Sequence, residues 1–349
     1  MNLLLDISHP AYAHALHPFI LEMQKRRHHT LIFARDKEIT HQLLRSWGIE
    51  FINKGKGRKS LLLKILYTFQ VVRKMYRHAR KFKPDIIISY SSYHASITGW
   101  LLRKPTFIFE DTEAVPIQHR INSFFSTHII TPESFRLNLG KNHIRFPSYK
   151  ELAHLHPNHF TPNPTPQSPI PNPQNPKPYI LLRFVSWQAW HDRGHSGVSM
   201  HMKEKIIKEL SHFGTVYISS ENPLPEKWQK HKVPAPPEHI HSFMAGASML
   251  FGESASMAAE AAVLGIPAIY IDNTCRGYTD ELENKYDLLY RFGESDEQVN
   301  KALDKAISLL ELPNLKISWQ QKRERMLSEK IDLCEWMVDF VEKEVRGKG

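Results

Sequence analysis

Cysteine is nearly absent from this 349-residue chain: Cys275 and Cys334 are its only thiols. Two distant cysteines exclude a disulfide framework and a cysteine-rich zinc module, and they suit a reducing cytosol. Long apolar runs are missing as well. The longest, LLLKILYTFQVV at 61–72, is interrupted by Lys64 and is too short to cross a bilayer. The opening MNLLLDISHP has no basic start and meets Asp6 after three leucines, which argues against a signal peptide. No short internal repeat is visible. GKGRKS at 55–60 does not meet the phosphate-loop spacing G-x-x-x-x-G-K-[ST]. These absences imply a cytoplasmic protein, either soluble or peripheral on the inner face of the cytoplasmic membrane.

What is present is globular. Hydrophobic residues make up 41% of the chain, aromatics 11% and charged residues 23%, so a chain of this length can bury two cores. The net charge of +10 and a pI near 9.4 call for an anionic partner. Nucleic acid, anionic lipid headgroups and phosphorylated small molecules all qualify on charge alone.

The first half alternates short apolar strands (NLLLDIS, TLIFARD, EFINKG, DIIISY, TFIFED) with helical segments, among them His14 to Arg27 and a long basic helix from Ser60 to Phe82. Such alternation predicts a parallel sheet covered on both faces. Prolines crowd TPNPTPQSPIPNPQNPKP, which reads as a stiff, extended linker over 157–178. The alternation then restarts with YILLRFV, a helix through SMHMKEKIIKELSHFG, TVYISS, SMLFG and PAIYID. The fold class is therefore α/β, with two Rossmann-like, doubly wound domains at 1–156 and 179–325, facing a cleft. The tail, helical from about Trp319 to Val345, supplies a last helix within 326–349 that could pack back on the first domain.

GESASMAAEAAVLGIPAIYID at 252–272 carries the most specific pattern. In a doubly wound sheet, ligands sit beyond the carboxyl ends of the strands, where helix N-termini point. The strand SMLFG delivers Gly252 to that edge, and Ser254, Ala255 and Ser256 open the next helix. Free N–H groups, the helix dipole and small side chains suit a phosphate there. Glu260, two turns in, could accept hydrogen bonds from a ribose diol. The plainer alternative is that Ser254 caps the helix while the alanines allow close packing.

This segment resembles the nucleotide-binding motif of GT-B glycosyltransferases and the related non-hydrolysing UDP-GlcNAc 2-epimerases. In those proteins a small-residue turn binds the diphosphate, and a glutamate before A-x-x-x-G-x-P holds the ribose. The resemblance puts Ser254, Ala255 and Ser256 at the phosphate turn and Glu260 at the ribose, with alanine and serine standing where the epimerases prefer glycine. DISHPAYAHALHPF, FIFEDTEA, SYKELAHLHP and RFVSWQAWHD further resemble the domain of unknown function 354 family, over nearly the whole chain outside the linker. The likeness implies a GT-B-like fold and leaves the reaction open.

Three further constellations follow. The loop after the first strand supplies His9, His14 and His17. The resemblance turns it toward the acceptor or transferred sugar, with His14 as the preferred general base and His9 second; capping or surface roles are the alternative. FEDTEA ends a strand with Glu110, Asp111 and Glu113. Crowded carboxylates raise at least one pKa, which suits acid–base work by Asp111 or Glu113, while helix capping before Pro116 is the alternative. RFVSWQAWHDRGHSG opens the second domain, where the resemblance turns a loop with His191, Asp192 and Arg193 toward the substrate's nucleotide phosphates, with Arg183 or Arg193 for positive charge and Trp187 or Trp190 to pack on a base or sugar ring. HDRGH also echoes the zinc motif H-E-x-x-H, but Gly194 lies inside it and no third ligand is evident, so no metal site is expected. The resemblance also turns the loop after AIYIDNT back to the sugar, with Arg276, Tyr278 and Glu281 as its candidates.

The reading ranks a glycosyltransferase first, using a nucleoside-diphosphate sugar with UDP favoured. It would act in envelope polysaccharide or glycolipid synthesis on a glycan or lipid-linked acceptor, with no added cofactor and no metal, because helix N-termini and basic residues can stabilise the leaving diphosphate. A 2-epimerase-like enzyme comes second, and a non-catalytic nucleotide-sugar binder third. The basic helix from Ser60 to Phe82 offers an anionic membrane surface a partner, or simply turns a charged face to water. No nucleic-acid motif is present.

Overall fold

The structure is a computed structural model that describes residues 1–58, 60–162, 178–185 and 197–347. The chain divides into two units, Met1–His159 with Ile331–Gly349, and Phe160–Lys330. Of the expected linker, residues 163–177 lie outside the described residues.

The first unit is built on a seven-stranded parallel sheet. Its strands are β1 (Asn2–Ile7), β2 (His29–Ala34), β3 (Ile52–Asn53), β4 (Ile86–Tyr90), β5 (Thr106–Phe109), β6 (His128–Pro132) and β7 (His143–Phe146), in the order β3-β2-β1-β4-β5-β6-β7. The chain starts in the middle, winds outward through β2 and β3, then crosses back to β4. The switch point of the sheet therefore lies between β1 and β4. Leu3, Leu4 and Leu5 are all fully buried, as expected of a central strand covered on both faces.

The helices of this unit are α1 (Pro10–Lys25), α2 (Thr40–Ser46), α3 (Leu61–Phe82), α4 (Tyr93–Leu102), α5 (Pro116–Phe125) and a single turn, α6 (Leu152–Leu155). Helix α1 starts four residues before the expected His14. Pro10 suits a first turn because its φ is fixed and its missing N–H has no helical partner, and His9 Nδ1 accepts from Ala11 N at 3.2 Å.

The second unit carries a five-stranded parallel sheet, ordered β12-β11-β10-β8-β9. Its strands are β8 (Tyr179–Phe184), β9 (Thr215–Ser220), β10 (Met249–Gly252), β11 (Ala268–Ile271) and β12 (Leu289–Phe292). Helices α7 (Met200–Leu210), α8 (Ile240–Ala245), α9 (Ala255–Val263), α10 (Gly277–Asn284), α11 (Asp296–Leu310) and α12 (Leu315–Glu329) complete it.

The tail is two helices rather than one. After α12 the chain breaks, and α13 (Leu333–Arg346) begins where the Asp332 carboxylate accepts from Cys334 N at 3.0 Å and Glu335 N at 3.2 Å. That cap offers the backbone a better local partner than continued helix. The unit boundary thus falls at 330/331, not at 325/326. Leu333, Cys334, Met337, Val338 and Val341 enter the first unit's core beside Phe19, Ile20 and Met23 of α1.

Candidate functional site

In the second unit, β10 ends at Gly252 and Ser254 caps α9, its Oγ accepting from Met257 N at 3.3 Å. Gly252 is required by close approach: a Cβ there would lie 2.8 Å from both the N and the Cβ of Arg183 on neighbouring β8. Ala255 and Ser256 are half-buried at the first turn. Glu260 is buried two turns later, its Oε1 3.2 Å from His241 Nε2.

Glu253, between Gly252 and the cap, was not anticipated from the sequence. It is buried, accepts from Val185 N at 3.0 Å and from Val198 N at 2.6 Å, and lies 3.8 Å from Lys203. One carboxylate thus fixes the backbone on both sides of the 186–196 segment. His191, Asp192 and Arg193 fall in that segment, outside the described residues.

Arg183 projects from β8 to Glu221 at 2.8 Å and Ser219 Oγ at 3.1 Å. Arg276 reaches Asp272 at 2.8 Å and also the Tyr270 hydroxyl. Burial works against the Asp272 charge, yet Arg276, Tyr270 and Thr274 outweigh it and hold the carboxyl below the ordinary range. Asp272 also accepts from Thr274 N and Oγ1, so the β11 loop is tied down.

In the first unit, Glu110 and Asp111 follow β5. Asp111 is buried and receives Lys150 Nζ at 2.5 Å and the Tyr12 hydroxyl at 3.5 Å. Lys150 also lies 3.2 Å from Glu151 and 5.7 Å above the Tyr12 ring, while Tyr12 stacks on Tyr90. Glu110, only 1% exposed, receives Ser91 Oγ, and Asn122 Nδ2 at 2.7 Å. Burial nevertheless lifts its carboxyl to about 7, against the hydrogen bonds from Ser91 and Asn122 that favour the charge.

The first unit therefore brings together a carboxylate held against an ammonium, a phenol, and a second carboxyl able to gain or lose a proton near neutrality. That is the equipment of acid–base chemistry. Glu113 stands apart on the loop, accepting from Arg136 N at 3.1 Å. His14 is buried on α1 between Trp47 and His154, with ring centroids 5.1 and 5.7 Å away. His9 caps α1 and lies 3.7 Å from Glu38. Lys150 went unsingled in the sequence, although a lysine between Tyr149 and Glu151 just before the apolar turn LAHL was the available signal.

Two doubly wound units of this kind make the GT-B architecture, and comparison with solved structures agrees. The Neisseria meningitidis UDP-GlcNAc 2-epimerase bound to UDP-GlcNAc superposes with a TM-score of 0.67 at 14% identity, over 98% of this chain and 100% of the other. SsfS6, a glycosyltransferase of Streptomyces sp. SF2575, gives 0.62 at 11% identity, over 98% and 99%. A curated relative from Anaeromyxobacter sp. (strain Fw109-5), the UDP-N-acetylglucosamine--N-acetylmuramyl-(pentapeptide) pyrophosphoryl-undecaprenol N-acetylglucosamine transferase, is 31% identical over 93 residues, 25% of this chain and 24% of that protein. The chain spans only about a quarter of the length of the curated relatives it matches. It belongs to the family described as Protein of unknown function (DUF354), whose profile covers residues 1–344. Among the described residues, no helix is long and apolar enough to cross a membrane.

Proposed function

We propose that the chain is a glycosyltransferase that takes a nucleoside-diphosphate sugar, with UDP as the nucleotide. The observation that carries this reading is the α9 entrance. Gly252 sits flat against β8, Ser254 caps the helix, and Ala255 and Ser256 leave the first turn without bulk. A diphosphate would lie at the N-terminus of that turn, where the helix dipole stabilises the charge that builds up as the sugar departs. Glu260 would hold the ribose, oriented by His241. In the first unit, Asp111, held by Lys150, or Glu110 would take up the proton that the acceptor hydroxyl loses as it attacks the sugar, with His14 and Glu113 as the other candidates.

Polysaccharide or glycolipid synthesis fits a protein with net charge +10 and a half-exposed amphipathic helix. On α3, Leu62, Ile65, Leu66 and Phe69 are exposed, as are Arg73, Arg77 and Arg80 farther along the same helix, a combination suited to an anionic membrane surface and a lipid-linked acceptor. The buried carboxyl pair also keeps a 2-epimerase-like reaction in view, since proton abstraction needs such groups.

A thermal-shift panel of UDP, GDP, CMP, ADP and dTDP tests the donor reading. One nucleotide at about a hundred times its dissociation constant should add about 2.7 kcal/mol to the wild type and nothing to Glu260→Ala. A panel with no shift overturns the reading. Conversion of UDP-GlcNAc to its epimer without acceptor would favour the second reaction.

A further inference from the structure

A second polar group lies at the carboxyl edge of the first unit's sheet, beside its switch point. Asp6 near the end of β1, Arg35 just after β2, Lys54 just after β3 and His94 in the first turn of α4 all come from the strand ends where a doubly wound sheet binds ligands. Asp6 is fully engaged by its neighbours. Lys54 forms a buried ion pair with it, and Ser92 Oγ, which also caps α4, donates to Asp6 Oδ2 at 2.5 Å.

The other two members have no such partner. Among the described residues the Arg35 guanidinium makes no hydrogen bond or ion pair, and its Nε is buried. His94 is 7% exposed with its Nε2 buried and unpaired. The Tyr67 ring meets His94 edge-on at 5.7 Å, and the Tyr67 hydroxyl donates to Gly55 O at 3.3 Å, which brings the β3–α3 loop over the same corner. Gly57 of that loop sits so close to Arg35 that a Cβ would overlap the guanidinium. Burial, then the charges of Lys54 and Arg35, hold the His94 imidazole neutral, well below its ordinary pKa. Two buried or half-buried cations thus face one carboxylate, with two unpaired nitrogens left over. Unpaired buried donors are costly, and an anion satisfies both at once.

We propose that this corner is an anion site for a phosphoryl group, bound by the Arg35 guanidinium, His94 Nε2 and the free N–H groups of the first turn of α4. It is separate from the α9 entrance and stands whether or not the donor reading holds. The group could arrive on a soluble nucleotide or on an isoprenoid phosphate, and the chemistry recognised is the same.

Hydrogen exchange of the full chain, read by mass spectrometry, tests it with millimolar inorganic pyrophosphate as the probe. Amides of 55–58 and 92–96 should slow several-fold in the wild type, lose that response in Arg35→Gln and His94→Asn, and recover part of it in Arg35→Lys. Amides of 254–258 report the α9 entrance in the same experiment, so failure of one site is told from failure of the other. Replacing pyrophosphate by UDP or by farnesyl phosphate identifies the carrier, through whichever gives the same protection at lower concentration. No slowing at 55–58 and 92–96 in the wild type overturns the proposal, as does slowing that survives in both Arg35→Gln and His94→Asn.

Discussion

Glu110 should make the first unit less stable as pH rises, and the size of the effect follows from its surroundings. Its carboxyl moves from the ordinary 4.5 to about 7 because burial outweighs the hydrogen bonds from Ser91, Asn122 and Gln118. Folding therefore takes up a proton between those two values. A group whose folded pKa is raised binds protons more tightly in the native state, so the stability it contributes is present below about 4.5 and is lost on the way up to about 7. The full loss is about 3 kcal/mol at one pKa unit per 1.36 kcal/mol, with roughly three quarters of it falling between pH 5 and pH 8. Glu110→Gln keeps the shape, lets Asn122 still donate to the side-chain carbonyl, and removes the titration. Exchange of the β5 amides in denaturant, run in parallel on wild type and variant so that intrinsic exchange chemistry cancels, reads the stability of this unit. The variant should gain about 2 kcal/mol on the wild type between pH 5 and pH 8. A difference that stays flat over that range would refute the reasoning, since it would mean that the hydrogen bonds already neutralise the cost of burial.

The wild type should co-sediment with vesicles containing phosphatidylglycerol and not with pure phosphatidylcholine, and Leu66→Glu with Phe69→Glu should lower binding at least tenfold, roughly the transfer free energy of one exposed apolar side chain. Equal binding to both vesicle types would remove α3 as a membrane surface. Gly252→Ala forces a Cβ into the backbone of Arg183, so the second unit should lose about 1–3 kcal/mol, seen as a lower melting transition with the first unit unchanged. An unaltered transition would show that β8 and β10 can separate there without cost.

The strands that periodicity predicts are those built from continuous apolar residues, such as NLLLDI and IIISY, and the structure has them. Those it passes over are short and carry polar residues, as in HIITP, HIRF and LYRF, which read as loop until a neighbouring strand supplies their hydrogen bonds. The α9 entrance was legible because all its parts are adjacent in sequence. The acid–base group was half legible: FEDTEA advertised its acids, but Lys150 joins Asp111 across 39 residues and Tyr12 joins it across 99. Lys54 and Asp6 are as remote, and pairing between strand ends is a property of sheet order, which no local window contains. The early start of α1 was readable in principle, since Pro10 after a capping residue is a first-turn signal.

The first unit's discontinuity has a consequence for vectorial synthesis. Its sheet and most of its core are encoded by the first 159 residues, yet α13, with Leu333, Met337, Val338 and Val341, is translated only after the whole second unit. The nascent first unit therefore waits with the α1 groove that holds Phe19, Ile20 and Met23 unfilled while the whole of 160–330 emerges. The second unit, encoded without interruption, can close first although it begins later. During that interval the open α1 face is the apolar surface a ribosome-associated chaperone would meet, and emergence of α13 is the event that ends the exposure.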